Sequence, residues 1–281
     1  MSETAFDDYL AQWRGASPER AIAWLFLRPG ERVCFGALAA LEHEWLKVVR
    51  EAREPQVTAA RLGWWREEMQ RATRGQARHP LTQGLFAVPR AGTVPVAYWT
   101  APVEAAMALL MAPPPADFAA QCKAAAPLAD ALADLETRVW FGGVVASPHA
   151  AKATLLAQLL ANLRGLGAMA ERGRSPLPMN LLARHGLTID VMGSDSPARR
   201  AAVRDYLADL QRELAAARMQ GPLTLFRAIG LQHDQDALGR ATRADEPLAA
   251  LRSPAFGLRG LLKTWRAART WRSMPSIESH P

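Results

Sequence analysis

The amino-acid sequence predicts an all-α, single-domain helical bundle. Alanine and leucine dominate a chain that is 49% hydrophobic, and aromatic residues make up 7%. Such a composition favours helix over strand. Apolar residues recur at helical spacing, and no stretch shows the alternation of a strand. A length of 281 residues is ample for a buried core.

Residues 1–17 read as an N-terminal arm, 18–272 as the helical domain and 273–281 as a disordered tail. The domain opens at Pro18, which follows Ser17 in an N-cap-like start. Pro29-Gly30 divides the first helical region. Its second half, 33–53, places Phe35, Leu38, Leu41, Trp45 and Val48 on one side. After Pro55 a helix is expected over 59–74, ended by Gly75. A proline- and glycine-rich stretch, 76–102, holds a short helix at 81–86. Helices are then expected over 102–111, 117–140, 150–169, 197–219, 222–229 and 257–271. Pro113-Pro114-Pro115 and Gly142-Gly143 separate some of them, and 172–178 is rich in turns.

The formal net charge is +7. A basic chain suits an anionic partner: a diphosphate, an acidic membrane surface or nucleic acid. No nucleic-acid-binding motif is present, so nucleic acid is not expected. Cys34 and Cys122 form no metal-binding pattern and read as buried free thiols. The N-terminal residues carry acids where a signal peptide would carry bases, and no apolar run is long enough to span a bilayer. A cytoplasmic protein, peripheral to the inner face of a membrane, is the expectation.

Two stretches carry a family resemblance. The first is Arg61-Leu62-Gly63-Trp64-Trp65-Arg66-Glu67-Glu68, followed by Gly75 and then His79-Pro80. The second runs from Glu171 through Gly173, Arg174 and Pro178 to Leu187. Together they resemble the squalene/phytoene synthase family, near the branch of bacterial relatives and the mitochondrial complex I assembly factor. A weaker third likeness is the basic helix around Leu262–Arg269. The resemblance implies an isoprenoid synthase fold around a central apolar cavity. It also implies an isoprenoid or lipid ligand and, in active members, two acidic motifs that hold magnesium against a departing diphosphate. A protein partner in assembling a membrane complex is a further implication.

Those acidic motifs are missing. Counting back from Trp64-Trp65, the first falls on Leu46, Lys47, Val48, Val49 and Arg50. Counting back from Gly173-Arg174, the second falls on 161–169, where Arg164 stands but Gly165 and Met169 replace acids. Glu42 and Glu44 lie near the first motif but point to different sides of a helix. Asp130 with Asp134 is a weak alternative acidic pair at i,i+4 spacing. No cofactor or metal is therefore expected, and no catalytic residue; magnesium enters only if relocated acids keep a prenyltransferase active. Lys47, Arg50 and Arg164 are candidates for holding an anionic head group directly. Arg61, Trp64, Trp65, Arg66, Glu67, His79, Pro80, Gly173, Arg174 and Pro178 are expected to serve the fold.

The segment 257–272 has Leu258, Leu261, Leu262 and Trp265 at helical spacing among Arg259, Lys263, Arg266, Arg269 and Arg272. Its apolar stripe is expected to pack on the bundle, the alternative being an anionic membrane surface.

Overall fold

Pro18, Pro29, Pro55, Pro80, Pro89, Pro148 and Pro247 each stand at the start of a helix. Proline suits that place because its missing N–H would have no intrahelical partner there. The computed structural model describes residues 3–142, 146–216, 221–253 and 258–273. Fifteen α-helices lie among these residues: α1 Glu3–Gly15, α2 Pro18–Leu25, α3 Pro29–Arg50, α4 Pro55–Ala72 and α5 Pro80–Phe86. There follow α6 Pro89–Gly92, α7 Val96–Met111, α8 Phe118–Phe141, α9 Pro148–Arg164 and α10 Leu166–Ala170. The last five are α11 Met179–Arg184, α12 Pro197–Ala216, α13 Leu225–Ala241, α14 Pro247–Arg252 and α15 Leu258–Ser273. No strand occurs among the described residues.

Several helices differ from their sequence-based bounds. α7 begins at Val96 and carries Pro102 inside it, so the proline did not mark its start. The helix expected over 150–169 divides at Gly165 into α9 and α10. α13 extends past Ile229 to Ala241, and α11 and α14 were not anticipated. The tail expected to be disordered lies almost wholly outside the described residues.

Two apolar clusters form the interior. One joins α1 to α5 with α7 and parts of α8 and α13, and centres on Leu38, Leu41, Trp45, Leu62, Leu81 and Trp99. The other joins α9 to α14 around Leu159, Leu163, Tyr206, Leu207 and Leu238. α8 and α13 contribute to both. Within the segment read as an arm, α1 buries Leu10 and Trp13. It reaches α5 at Gly84, where an added Cβ would lie 2.4 Å from the Phe6 ring.

Candidate functional site

Residues of α1, α2, α3, α8, α9 and α13 surround a cavity of about 190 Å³. α3 supplies Ala39, Glu42, His43, Leu46 and Arg50, a single stripe at i, i+3, i+4, i+7 and i+11. α9 supplies Gln158, Ala161 and Arg164, and α13 supplies Phe226, Arg227 and Asp234. Arg20 and Glu19 come from α2, Glu136 from α8. Where the resemblance implies an apolar chamber, this one is lined by four arginines and four acids. Charge occupies helix positions whose spacing is that of core residues.

Pairing satisfies much of that charge. Arg227 Nη2 donates to Glu42 Oε1 at 2.8 Å and also to Glu136, while its Nε donates to Glu136 Oε2 at 3.3 Å. Thr224 positions the arginine by capping α13, its hydroxyl accepting from the Arg227 N–H at 3.3 Å. Burial pushes the Glu136 carboxyl up to about 8. Burial also opposes the charge on Glu42, but Arg227 beside it prevails and holds Glu42 below the usual carboxylate range. One guanidinium thus faces one carboxylate and one carboxylic acid near neutral pH. Arg164 Nη2 donates to Asp234 Oδ1 at 2.8 Å. Burial raises Asp234 even so.

Other donors are left over. Arg20 Nη1 donates to the Trp13 carbonyl at 3.1 Å and lies 3.4 Å from His43 Nδ1, but has no carboxylate within 4.0 Å among the described residues. Arg50 has neither a hydrogen bond nor an ion pair among them. Burial lowers both guanidinium values. Gln158 is 8% exposed, and its Nε2 is buried with no partner among the described residues. His43 is held down to about 4, first by burial and then by Arg20, Arg50 and Lys47.

The structure therefore brings Arg50 and Arg164 to one cavity. Lys47 is half-buried on α3 and is not part of the cavity lining. Asp130 and Asp134 stand away from the cavity as well. Asp130 is exposed, and Asp134 accepts from the Ala146 N–H at 3.1 Å. Glu42, set aside from sequence because Glu44 faces elsewhere, is the acid of that pair that enters the cavity. Its partner Arg227 lies 185 residues away, beyond the reach of any spacing rule. The usable signal was the run of polar residues at helical spacing on α3 and on α9.

The motif residues form a joint between α4 and α5. Glu68, buried, accepts from the Arg78 and His79 N–H groups at 2.7 and 2.9 Å and from the Thr82 hydroxyl at 2.6 Å. Arg71 donates to its other oxygen at 3.0 Å. Glu67, singled out from the sequence, is exposed, with only a 3.5 Å pair to Arg71. His79 caps α5 by accepting from the Leu81 N–H, Pro80 begins that helix, and the His79 ring packs 4.7 Å from Trp65. Trp65 is 6% exposed and Trp64 40%. Arg61 is exposed, whereas Arg66 is half-buried, its Nε enclosed with no partner among the described residues. At the second motif Gly173 takes φ 68°, Arg174 Nη1 donates to the Val49 carbonyl at 2.7 Å, and Pro178 precedes α11.

Helices enclosing a central cavity, reached by Leu46 and Arg50 from α3 and by Ala161 and Arg164 from α9, form a bundle of the isoprenoid-synthase kind. The chain belongs to the squalene/phytoene synthase family, which matches residues 13–238. Among solved structures it is similar to a dehydrosqualene synthase determined with a ligand, at 12% identity, with 97% of this chain and 98% of that one covered and a TM-score of 0.71. It is also similar to the squalene synthase HpnC from Alicyclobacillus acidocaldarius, at 15% identity, with 96% and 93% covered and a TM-score of 0.55. Comparison with curated proteins gave no match.

Proposed function

We propose that this chain is a degenerate member of its family that binds the anionic head group of an isoprenoid or lipid without magnesium and without condensing prenyl diphosphates. The observation that carries the reading is the pair of arginines, Arg20 and Arg50, in the cavity wall with no carboxylate within ion-pair distance among the described residues, beside the unpaired Gln158 amide. A desolvated guanidinium gains most from a bound anion. A diphosphate or phosphate supplies several acceptor oxygens for such donors.

The cavity's donor set does not fit a divalent cation. Magnesium wants oxygen ligands in near-octahedral array. The positions of the first acidic motif offer Leu46, Lys47 and Arg50, and those of the second offer Ala161, Gly165 and Met169. Of the four acids in the lining, Glu42 and Glu136 are occupied by Arg227 and Asp234 by Arg164, which leaves Glu19 alone, too few oxygens for such an ion.

Calorimetric titration of inorganic pyrophosphate into the protein tests the binding, with and without magnesium. Binding that needs no magnesium and weakens at least roughly tenfold in Arg50→Ala is expected, the loss of a charge-assisted contact. Magnesium-dependent release of pyrophosphate from farnesyl diphosphate by the purified chain would instead establish the active prenyltransferase.

A further inference from the structure

α15 lies on the bundle in the opposite sense to the one its sequence suggests. Among its described side chains, Thr264 and Ala268 are fully buried. The Thr264 hydroxyl lies 2.6 Å from His233 Nε2, and Trp271 Nε1 donates to the Leu223 carbonyl at 2.8 Å. A narrow face of small and hydrogen-bonded side chains thus docks on α2 and α13. Leu261, Leu262 and Trp265 face outward at 42%, 48% and 45% exposure. At about 100° per residue these three fall in one arc of roughly 100°.

Bases border that arc. Arg269 lies over the Trp265 ring at 5.2 Å, and Arg266 is exposed beside it. Lys263, further round, is neutralised by an acid, Asp236 at 3.0 Å. The helix itself contains no acidic residue.

We infer that the outer face of α15 docks on the surface of an anionic lipid bilayer, with Leu261, Leu262 and Trp265 entering the interfacial layer and Arg266 and Arg269 meeting the lipid phosphates. Apolar side chains flanked by unneutralised arginines match the chemistry of that surface, and tryptophan favours the headgroup depth. A second copy of the chain fits poorly. A symmetric contact through this face would bring Arg266 and Arg269 against their own counterparts. The inference is independent of what the central cavity holds.

Flotation of the full chain with vesicles is the test, using phosphatidylcholine alone and phosphatidylcholine mixed with phosphatidylglycerol. Binding to the mixed vesicles only, weakened by salt, is expected. Arg266→Glu/Arg269→Glu should lower the partition roughly tenfold or more, from about a factor of five per base. Leu261→Ser/Leu262→Ser/Trp265→Ser should abolish it. All five side chains are exposed, so unchanged thermal melting will show that both variants are folded. The inference is overturned if neither vesicle binds, if both bind equally, or if the folded serine variant binds like the parent. It is also overturned if size-exclusion chromatography with light scattering shows a dimer that the serine variant converts to monomer while vesicles stay unbound.

Discussion

Arg227 on α13 and Glu42 on α3 are hydrogen-bonded at 2.8 Å across 185 positions of sequence, in the interior of the bundle. With Glu136 they tie three helices together by charge rather than by apolar contact. Arg227→Ala strands two buried carboxyl groups and should cost about 3–5 kcal/mol. The triple replacement Glu42→Leu/Glu136→Leu/Arg227→Met removes every charge at once and should be far milder, or stabilising. Urea unfolding of the two variants measures the difference.

Stability should pass through a maximum with pH. Glu136, pushed up chiefly by burial to about 8 from an ordinary 4.5, keeps a proton in the folded chain that the unfolded chain releases. Its contribution is therefore full below the unfolded value and is lost as pH rises through about 8. His43 acts oppositely. Burial and the neighbouring bases hold it at about 4 against an ordinary 6.5, so its contribution is lost as pH falls from 6.5 toward 4. Melting temperature against pH should lose its fall between about pH 4.5 and 8 in Glu136→Gln, and the part of its acid fall between about pH 6.5 and 4 in His43→Gln.

Glu68 should matter far more than its neighbour. Glu68→Ala leaves the Arg78 and His79 N–H groups and the Thr82 hydroxyl without their acceptor. A loss of about 3 kcal/mol or more is expected, since buried donors left unsatisfied cost on the order of 1–3 kcal/mol each. Glu67→Ala, on the exposed side of the same turn, should change stability by less than about 0.5 kcal/mol. Chemical denaturation of both variants decides the point.

The two adjacent tryptophans should separate in the same way. Trp65→Ala opens space beside Trp45 and His79, and large aromatic-to-alanine changes in cores cost about 3–5 kcal/mol. Trp64, 40% exposed, should tolerate alanine at a cost of about 1 kcal/mol. Equal melting of the two variants would contradict this placement.

The bundle was legible in the sequence because helical period and proline punctuation are local signals. Pro18, Pro29 and Pro80 all stand where a helix begins. Helix bounds failed where the local rule admits exceptions, as at Pro102 within α7. The cavity was legible in part. Arg50 and Arg164 could be named from their place relative to Trp64-Trp65 and Gly173-Arg174. Glu136, Arg227 and Asp234 could not, because their roles come from partners on other helices. The apolar stripe of α15 predicts an inward face, but Leu261, Leu262 and Trp265 are exposed. Thr264 and Ala268, small enough for close approach, hold the helix there instead.

The bases on α3 have an electrostatic setting of their own. Lys47 and Arg50 close the last turn of α3, and Arg164 closes α9. The C-terminal end of a helix carries about half a negative charge from its aligned peptide dipoles, which favours a cation by about 0.3–1 kcal/mol and disfavours an anion similarly. Acids at these turns would work against that field unless a bound cation offset it. Lysine and arginine sit with the field and need no such help, and Arg174 adds a further donor to the Val49 carbonyl of the same turn. A single substitution such as Lys47→Asp would be unfavourable by itself, because one carboxylate does not make a metal site. Each base thus stabilises the helix end it occupies, and building a carboxylate cluster at these turns would take several substitutions together.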